Sequence, residues 1–175
     1  MEAQEDFREL LELFNAHCVE YVIVGGYALA FHGAPRFTGD LDILVNPDPK
    51  NANRIVAALT EFGFSSVGLT VNDFVRPDQV VQLGSPPVRI DIITSLTGVS
   101  LAEAFAGRTP GTYGDVAVYY LGRESSLPTN VLPEENATWG TSKLLARSEI
   151  DCHHHAERCF RTDSKAAYDQ GTEHT

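Results

Sequence analysis

The chain of 175 residues has few cysteines, few basic residues and no long apolar run. Each scarcity excludes something. Without a run of about 18 apolar residues, no helix spans a membrane. The N-terminus, MEAQEDFREL, is acidic and amphipathic, unlike a secretory signal, and the expected compartment is the cytoplasm. The three cysteines, Cys18, Cys152 and Cys159, form no framework spacing, and free thiols in a reducing compartment are expected. Thirteen Lys and Arg stand against 24 Asp and Glu, a formal net charge of -11. That deficit argues against a broad nucleic-acid footprint, which needs clustered positive charge. It leaves open a small anionic substrate bound through a metal ion, because the ion reverses the local charge logic. No internal repeat is found.

What is present is a 43% apolar content, enough for a core, and one stretch rich in chemistry. Val24 to Val45 reads VGGYALAFHGAPRFTGDLDILV. The β-branched run Glu20 to Val24 predicts a buried strand. Gly25 and Gly26 then turn the chain into a helix predicted over Tyr27 to His32. Such a turn either is simple punctuation or brings a phosphate close to backbone N–H groups. His32 reads as a helix-end residue. Arg36 precedes the next strand, where it either steadies a phosphate with its fork or pairs with a nearby acid. Asp40 and Asp42 follow, two apart and so on one face of a strand. Two carboxylates side by side repel and lose solvation. A divalent cation is the best reason to keep them.

The flanking segments are structural. Gln4 to Cys18 predicts a helix with Phe7, Leu10, Leu11, Phe14 and Cys18 on its apolar stripe. Asp48-Pro49 is an N-cap followed by a first-turn proline, opening a helix buried through Ile55, Val56, Leu59 and Phe62 and stopped by Gly63. Strands are predicted over Gln79 to Leu83 and Val88 to Ile93, joined through Gly84, Ser85, Pro86 and Pro87. The second of these, VRIDII, carries Asp91 among isoleucines, where an unpartnered carboxylate would be costly. Arg89, two positions earlier on the same face, is one candidate partner. The other reading is a third metal ligand that meets Asp40 and Asp42 from an adjacent strand. Ser100 to Glu103 is a capping box for a short helix ending at Gly107, and Thr109 to Tyr113 with Val116 to Leu121 predicts a further hairpin.

Taken together, VGGYALAFHG, RFTGDLDILV and VRIDII resemble the nucleotidyltransferase superfamily with the polymerase-beta-like catalytic fold. The branch resembled is that of small bacterial proteins related to AbiEii-type toxins and minimal nucleotidyltransferases. The resemblance covers Phe7 to Glu124. It implies an α+β fold, a mixed β-sheet flanked by helices, in a nucleotidyltransferase-like domain over 1–124. It implies that Asp40, Asp42 and Asp91 are the catalytic acids and hold Mg²⁺ (or Mn²⁺), and that Gly25 and Gly26 contact phosphate; at such a site Arg36, by its position, is expected to neutralise the leaving pyrophosphate. The implied reaction is metal-dependent transfer of a nucleoside monophosphate from a nucleoside triphosphate to an acceptor hydroxyl on a protein, a small molecule or an RNA end. The toxin relatives imply a small partner protein. Where many members have serine after the second glycine, this chain has Tyr27, so phosphate contact there would rest on backbone N–H groups. Two rival readings remain. One is a non-catalytic nucleotide- or partner-binding module of a toxin–antitoxin pair; the other is a DxD glycosyltransferase, against which the glycine-led helix, Asp91 and the short chain count.

After Glu124 the resemblance ends. Residues 125–175 are expected to be a poorly structured tail, with an ambiguous stretch near Ser142 to Ile150. The relatives continue with a basic segment like NKRATGRKKDL; here Thr129 to Asn136 reads TNVLPEEN. The genetic code permits that segment, shifted by one base, to spell K-R-A-T-G-R-K, so a frameshift near Ser125 to Pro128 is the expected origin of the tail. Loss of this segment would impair the activity. The run Asp151-Cys152-His153-His154-His155 invites a zinc reading, but adjacent histidines cannot all face one ion, and in an out-of-frame tail a solvated run is expected instead.

Overall fold

The computed structural model describes residues 4–34, 38–65, 68–85 and 88–126 and the backbone of 142–145. The first element is α1 (Glu5–Ala16), with Glu5 and Asp6 in its first turn and Phe7, Leu10, Leu11 and Phe14 buried. Two acids near a helix N-terminus complement its dipole. Then come β1 (Tyr21–Ile23), α2 (Gly25–Phe31) and β2 (Asp40–Val45). Next is α3 (Pro49–Leu59), capped by the Asp48 side chain, which accepts from the Asn51 N–H at 3.0 Å. The predicted stop at Gly63 takes another form: a wider helical turn, Thr60–Phe64, continues α3, and Gly63 has φ 107° within it. A short α4 (Asn72–Val75), which the sequence pattern does not announce, precedes β3 (Val80–Ser85) and β4 (Val88–Ile93). The capping box at Ser100 and Glu103 opens α5 (Leu101–Ala106), and β5 (Thr109–Tyr113), β6 (Val116–Tyr120) and α6 (Arg123–Ser126) follow.

These strands form one mixed sheet of order β5-β6-β1-β2-β4-β3-β7, in which β7 (Ser142–Leu145) lies parallel to β3. The last strand comes from the stretch near Ser142 that the pattern left ambiguous. The rest of the segment after Ser126, including the histidine run, lies outside the described residues. In the centre, β1 is antiparallel to β2, and β2 is parallel to β4. Register decides which side chains share a face. Tyr21 faces Val45, Ile23 faces Ile43, Leu41 faces Ile90 and Ile43 faces Ile92. All of these are buried, and Phe14 of α1 meets Tyr21 edge-on at 5.5 Å on that side. The core therefore lies between this sheet face and the helical layer that includes α1. Truncating a fully enclosed member such as Ile43 to alanine would cost about 2–5 kcal/mol.

Asn51 at the start of α3 is a fully buried polar residue. Its Oδ1 accepts from the Glu20 N–H at 2.7 Å, and its Nδ2 donates to the carbonyls of Glu20 and Asn46 at 3.0 and 2.9 Å. This satisfies the amide and ties α3 to the outer ends of β1 and β2. One expectation is corrected here. Cys18, predicted on the α1 stripe as a free thiol, lies beyond the helix with φ 55° and is disulfide-bonded. Its partner lies outside the described residues. An odd count of cysteines argues against a full framework but permits a single pair.

Candidate active site

The opposite face of β2 and β4 carries the acids. Asp42 and Asp91 are register partners on neighbouring parallel strands, and Asp40 is the partner of Arg89. Strands stand roughly 4.8 Å apart, so three carboxylates and one guanidinium share a small patch. Asp42 and Asp91 are 9% and 4% exposed; Asp40, at the start of β2, is more open. Thr38 sets the entry to that strand. Its Oγ1 donates to the Asp40 carbonyl at 3.1 Å and accepts from the Asp40 N–H at 3.3 Å.

Both glycines have a steric reason visible in the structure. Gly25 opens α2 with φ +63°, and a Cβ there would meet Asp42 Oδ2 at 2.1 Å. A Cβ on Gly26 would meet Thr38 Cγ2 at 2.6 Å. Thus α2 begins at Gly25, two residues before the predicted start, and its first turn lies directly against the carboxylate of Asp42 and the turn into Asp40. Tyr27 does not stand in for a serine. Its ring makes edge contacts with Phe7 at 6.0 Å and Tyr113 at 5.6 Å. Burial, and then the neighbouring Tyr113 and Asp40, push its hydroxyl well above the usual tyrosine range, so it stays protonated. His32 follows α2, as expected, and its Nε2 pairs with the Leu121 carbonyl at 2.7 Å. Arg36 lies outside the described residues.

Arg89 is involved more deeply than its position beside Asp91 suggests. Its Nε donates to Asp91 Oδ1 at 3.0 Å and its Nη2 to Asp40 Oδ2 at 2.6 Å. Gln82 reaches Asp91 from β3, with Nε2 3.4 Å from Oδ2. Burial still dominates and raises the Asp91 carboxyl above the usual range; Arg89 and Gln82 pull it down, and Asp40 adds to the rise. Gln82 was hidden by the turn. The sequence reading ends β3 at Leu83, but the ladder runs on to a Ser85–Val88 pair, and this sets Gln82 opposite Asp91.

The three carboxylates are oxygen donors, the type that a hard divalent cation takes. Among the described residues, no three acidic, histidine or cysteine side chains close on one point as metal ligands; the Arg89 guanidinium instead spans two of the three acids.

The sequence profile of the nucleotidyl transferase AbiEii toxin family, from type IV toxin–antitoxin systems, matches residues 10–105. The chain belongs to this family. The matched span includes α2, β2 and β4, and with them every acid of the patch. The chain is therefore a nucleotidyltransferase of the AbiEii toxin family, and its mixed α+β sheet agrees with the expected fold class. No curated protein matches the chain. Among solved structures, it is similar to a Thermotoga maritima protein assigned as a nucleotidyltransferase, at 17% identity, with 69% of this chain and 77% of that one covered and a TM-score of 0.49. Among the described residues, no helix is long and apolar enough to cross a membrane.

Proposed function

We propose that this AbiEii-family chain transfers a nucleoside monophosphate from a nucleoside triphosphate to an acceptor hydroxyl on a protein, a small molecule or an RNA end. The observation that carries the reading is the register of β2 and β4, which sets Asp42 beside Asp91 on the face that also bears Asp40. Asp40, Asp42 and Asp91 would hold Mg²⁺ or Mn²⁺, and such an ion would neutralise phosphate charge during transfer. Gly25 and Gly26 keep the first turn of α2 free of side chains beside these acids, which leaves backbone N–H groups to meet phosphate oxygens. Asp91, buried beside Asp42, would favour deprotonation of the attacking hydroxyl through the ion it helps to hold. Arg36 is the proposed neutraliser of the leaving pyrophosphate.

One observation favours a second reading, nucleotide or antitoxin binding without turnover. The basic segment expected after Glu124 does not occur in the chain. A single comparison separates the two. The chain and a version with the frame restored near Ser125 are incubated with each labelled nucleoside triphosphate and Mg²⁺, with and without RNA and the product of a neighbouring gene. Label transfer that disappears in Asp42→Asn supports the enzyme. Nucleotide binding without transfer in both versions supports the binding module.

A further inference from the structure

Among the described residues, Phe31 is the one large apolar side chain that stands exposed, at 41%. It is nonetheless held in a built slot. Its ring lies flat on that of Tyr120 of β6, with centroids 4.2 Å apart and planes 11° from parallel. Tyr120 is buried, and its hydroxyl donates to the Thr112 carbonyl at 2.9 Å, which fixes its ring. Gly111 of β5 leaves the room: a Cβ there would meet Phe31 Cε2 at 2.7 Å and Tyr120 Cδ2 at 3.0 Å.

Phe31 is the last residue of α2, and Gly25, the first, lies against Asp42. The helix has seven residues and no side-chain cap on its first turn. Helices shorter than about 12 residues do not hold themselves in water, so tertiary contacts must set where α2 lies. Tyr27 and Phe31 are four apart and share one helix face. Tyr27 meets Tyr113 of β5 edge-on at 5.6 Å, and Phe31 stacks on Tyr120 of β6. Both anchors sit on the same hairpin, about 6 Å apart along the helix axis. One anchor lets a short helix pivot; two fix its direction. His32 Nε2 adds a single bond to the Leu121 carbonyl, at 2.7 Å, just beyond the second anchor.

We infer that Phe31 is a positioning residue for nucleotide transfer: stacked on Tyr120, it sets α2 on the β5–β6 hairpin so that Gly25 stays against Asp42. The inference rests on the reading of Asp42 as a site acid given above. The hairpin carries none of the three site acids, yet it fixes the helix whose first turn packs on one of them. An exposed phenylalanine is kept because a flat ring grips where a flexible side chain would slide.

The test assays the full chain for label transfer from each α-labelled nucleoside triphosphate, with Mg²⁺, RNA and the neighbouring gene product present. Phe31→Leu keeps apolar bulk and removes the flat face. Its melting temperature is expected to stay close to that of the wild type, because the ring is partly exposed, while kcat falls about tenfold with the KM for the nucleotide unchanged. Phe31→Tyr keeps the stack and is expected to transfer like the wild type. In a Gly25→Ala chain, where Asp42 is already displaced, Phe31→Leu is expected to cost little more; a ring that only supported the fold would multiply the two losses. Circular dichroism checks folding, and if the leucine variant is unfolded, Gly111→Ala, which wedges the slot from β5, decides by the same measures. Full transfer by the folded variant, or losses that multiply, with Asp42→Asn inactive, overturns the positioning role and leaves Asp42 in the site. Transfer retained by Asp42→Asn, or none by the wild type, overturns the reading of Asp42 and this inference with it.

Discussion

The carboxylate of Asp42 lies against the backbone of Gly25, where a Cβ would come within 2.1 Å of Oδ2. Gly25 also has a left-handed backbone, with φ +63°, which costs an L-residue about 1–2 kcal/mol. Gly25→Ala therefore forces Asp42 aside. The expected outcome is a fall of about a hundredfold in nucleotide transfer with the circular dichroism spectrum retained. An alanine variant with full activity would show that the Asp42 carboxylate need not lie where the glycine leaves it.

Asp42 itself admits a sharper test. Asp42→Asn keeps the size of the side chain and removes the charge. Transfer is expected to drop by orders of magnitude, and Mg²⁺ dependence with it. Retained activity with ordinary metal dependence would remove Asp42 from the ligand set.

Gly26 makes a different point, because its neighbour is Thr38 and not an acid. Gly26→Ala is expected to destabilise the fold by about 1–3 kcal/mol through overpacking. Thr38→Ser deletes the Cγ2 that the new Cβ would meet at 2.6 Å and keeps the hydroxyl that bonds the Asp40 backbone. In a double-mutant cycle, the serine should recover part of the loss but not all of it, since Thr38 Cβ is also close, at 2.8 Å. Strict additivity in urea denaturation would mean that the two residues do not press on each other.

Asp91 predicts a pH effect on stability. Its folded carboxyl is raised above the unfolded value, mainly by burial. Between the two values the folded chain holds more proton than the unfolded chain, so stability falls as pH rises through that window and stays lower above it. The ionised carboxylate is thus a cost at neutral pH. Asp91→Asn is expected to melt at or above the wild-type temperature at neutral pH, with the difference closing as pH falls below the carboxylate range. A variant that melts lower at neutral pH would mean that the pairing with Arg89 outweighs desolvation.

Much of this architecture was legible one residue at a time. Period-two spacing set Asp40 and Asp42 on one face, aliphatic neighbours marked Asp91 as enclosed, and the helix stripes named Phe7, Leu10, Leu11, Phe14, Ile55, Leu59 and Phe62 as core before any contact was known. These signals are local, because side-chain direction follows from backbone period alone. The errors lie where a contact spans the chain or a turn sets the count. The two-residue link between Ser85 and Val88 moved Gln82 opposite Asp91.

The sequence by itself determined the candidate site groups: two glycines, the DxD pair, and an aspartate two residues after an arginine. Their residue types and spacings carry the family resemblance, and no packing is needed to read them. Only the tertiary structure decided how they are shared. Parallel pairing of β2 with β4 brought Asp42 beside Asp91 and set Arg89 next to Asp40, across 49 positions of chain. Hydrogen-bond register between distant strands is fixed by the whole sheet and its buried face, so the pair Arg89 and Asp91 became a bridge to Asp40 only when the strands met.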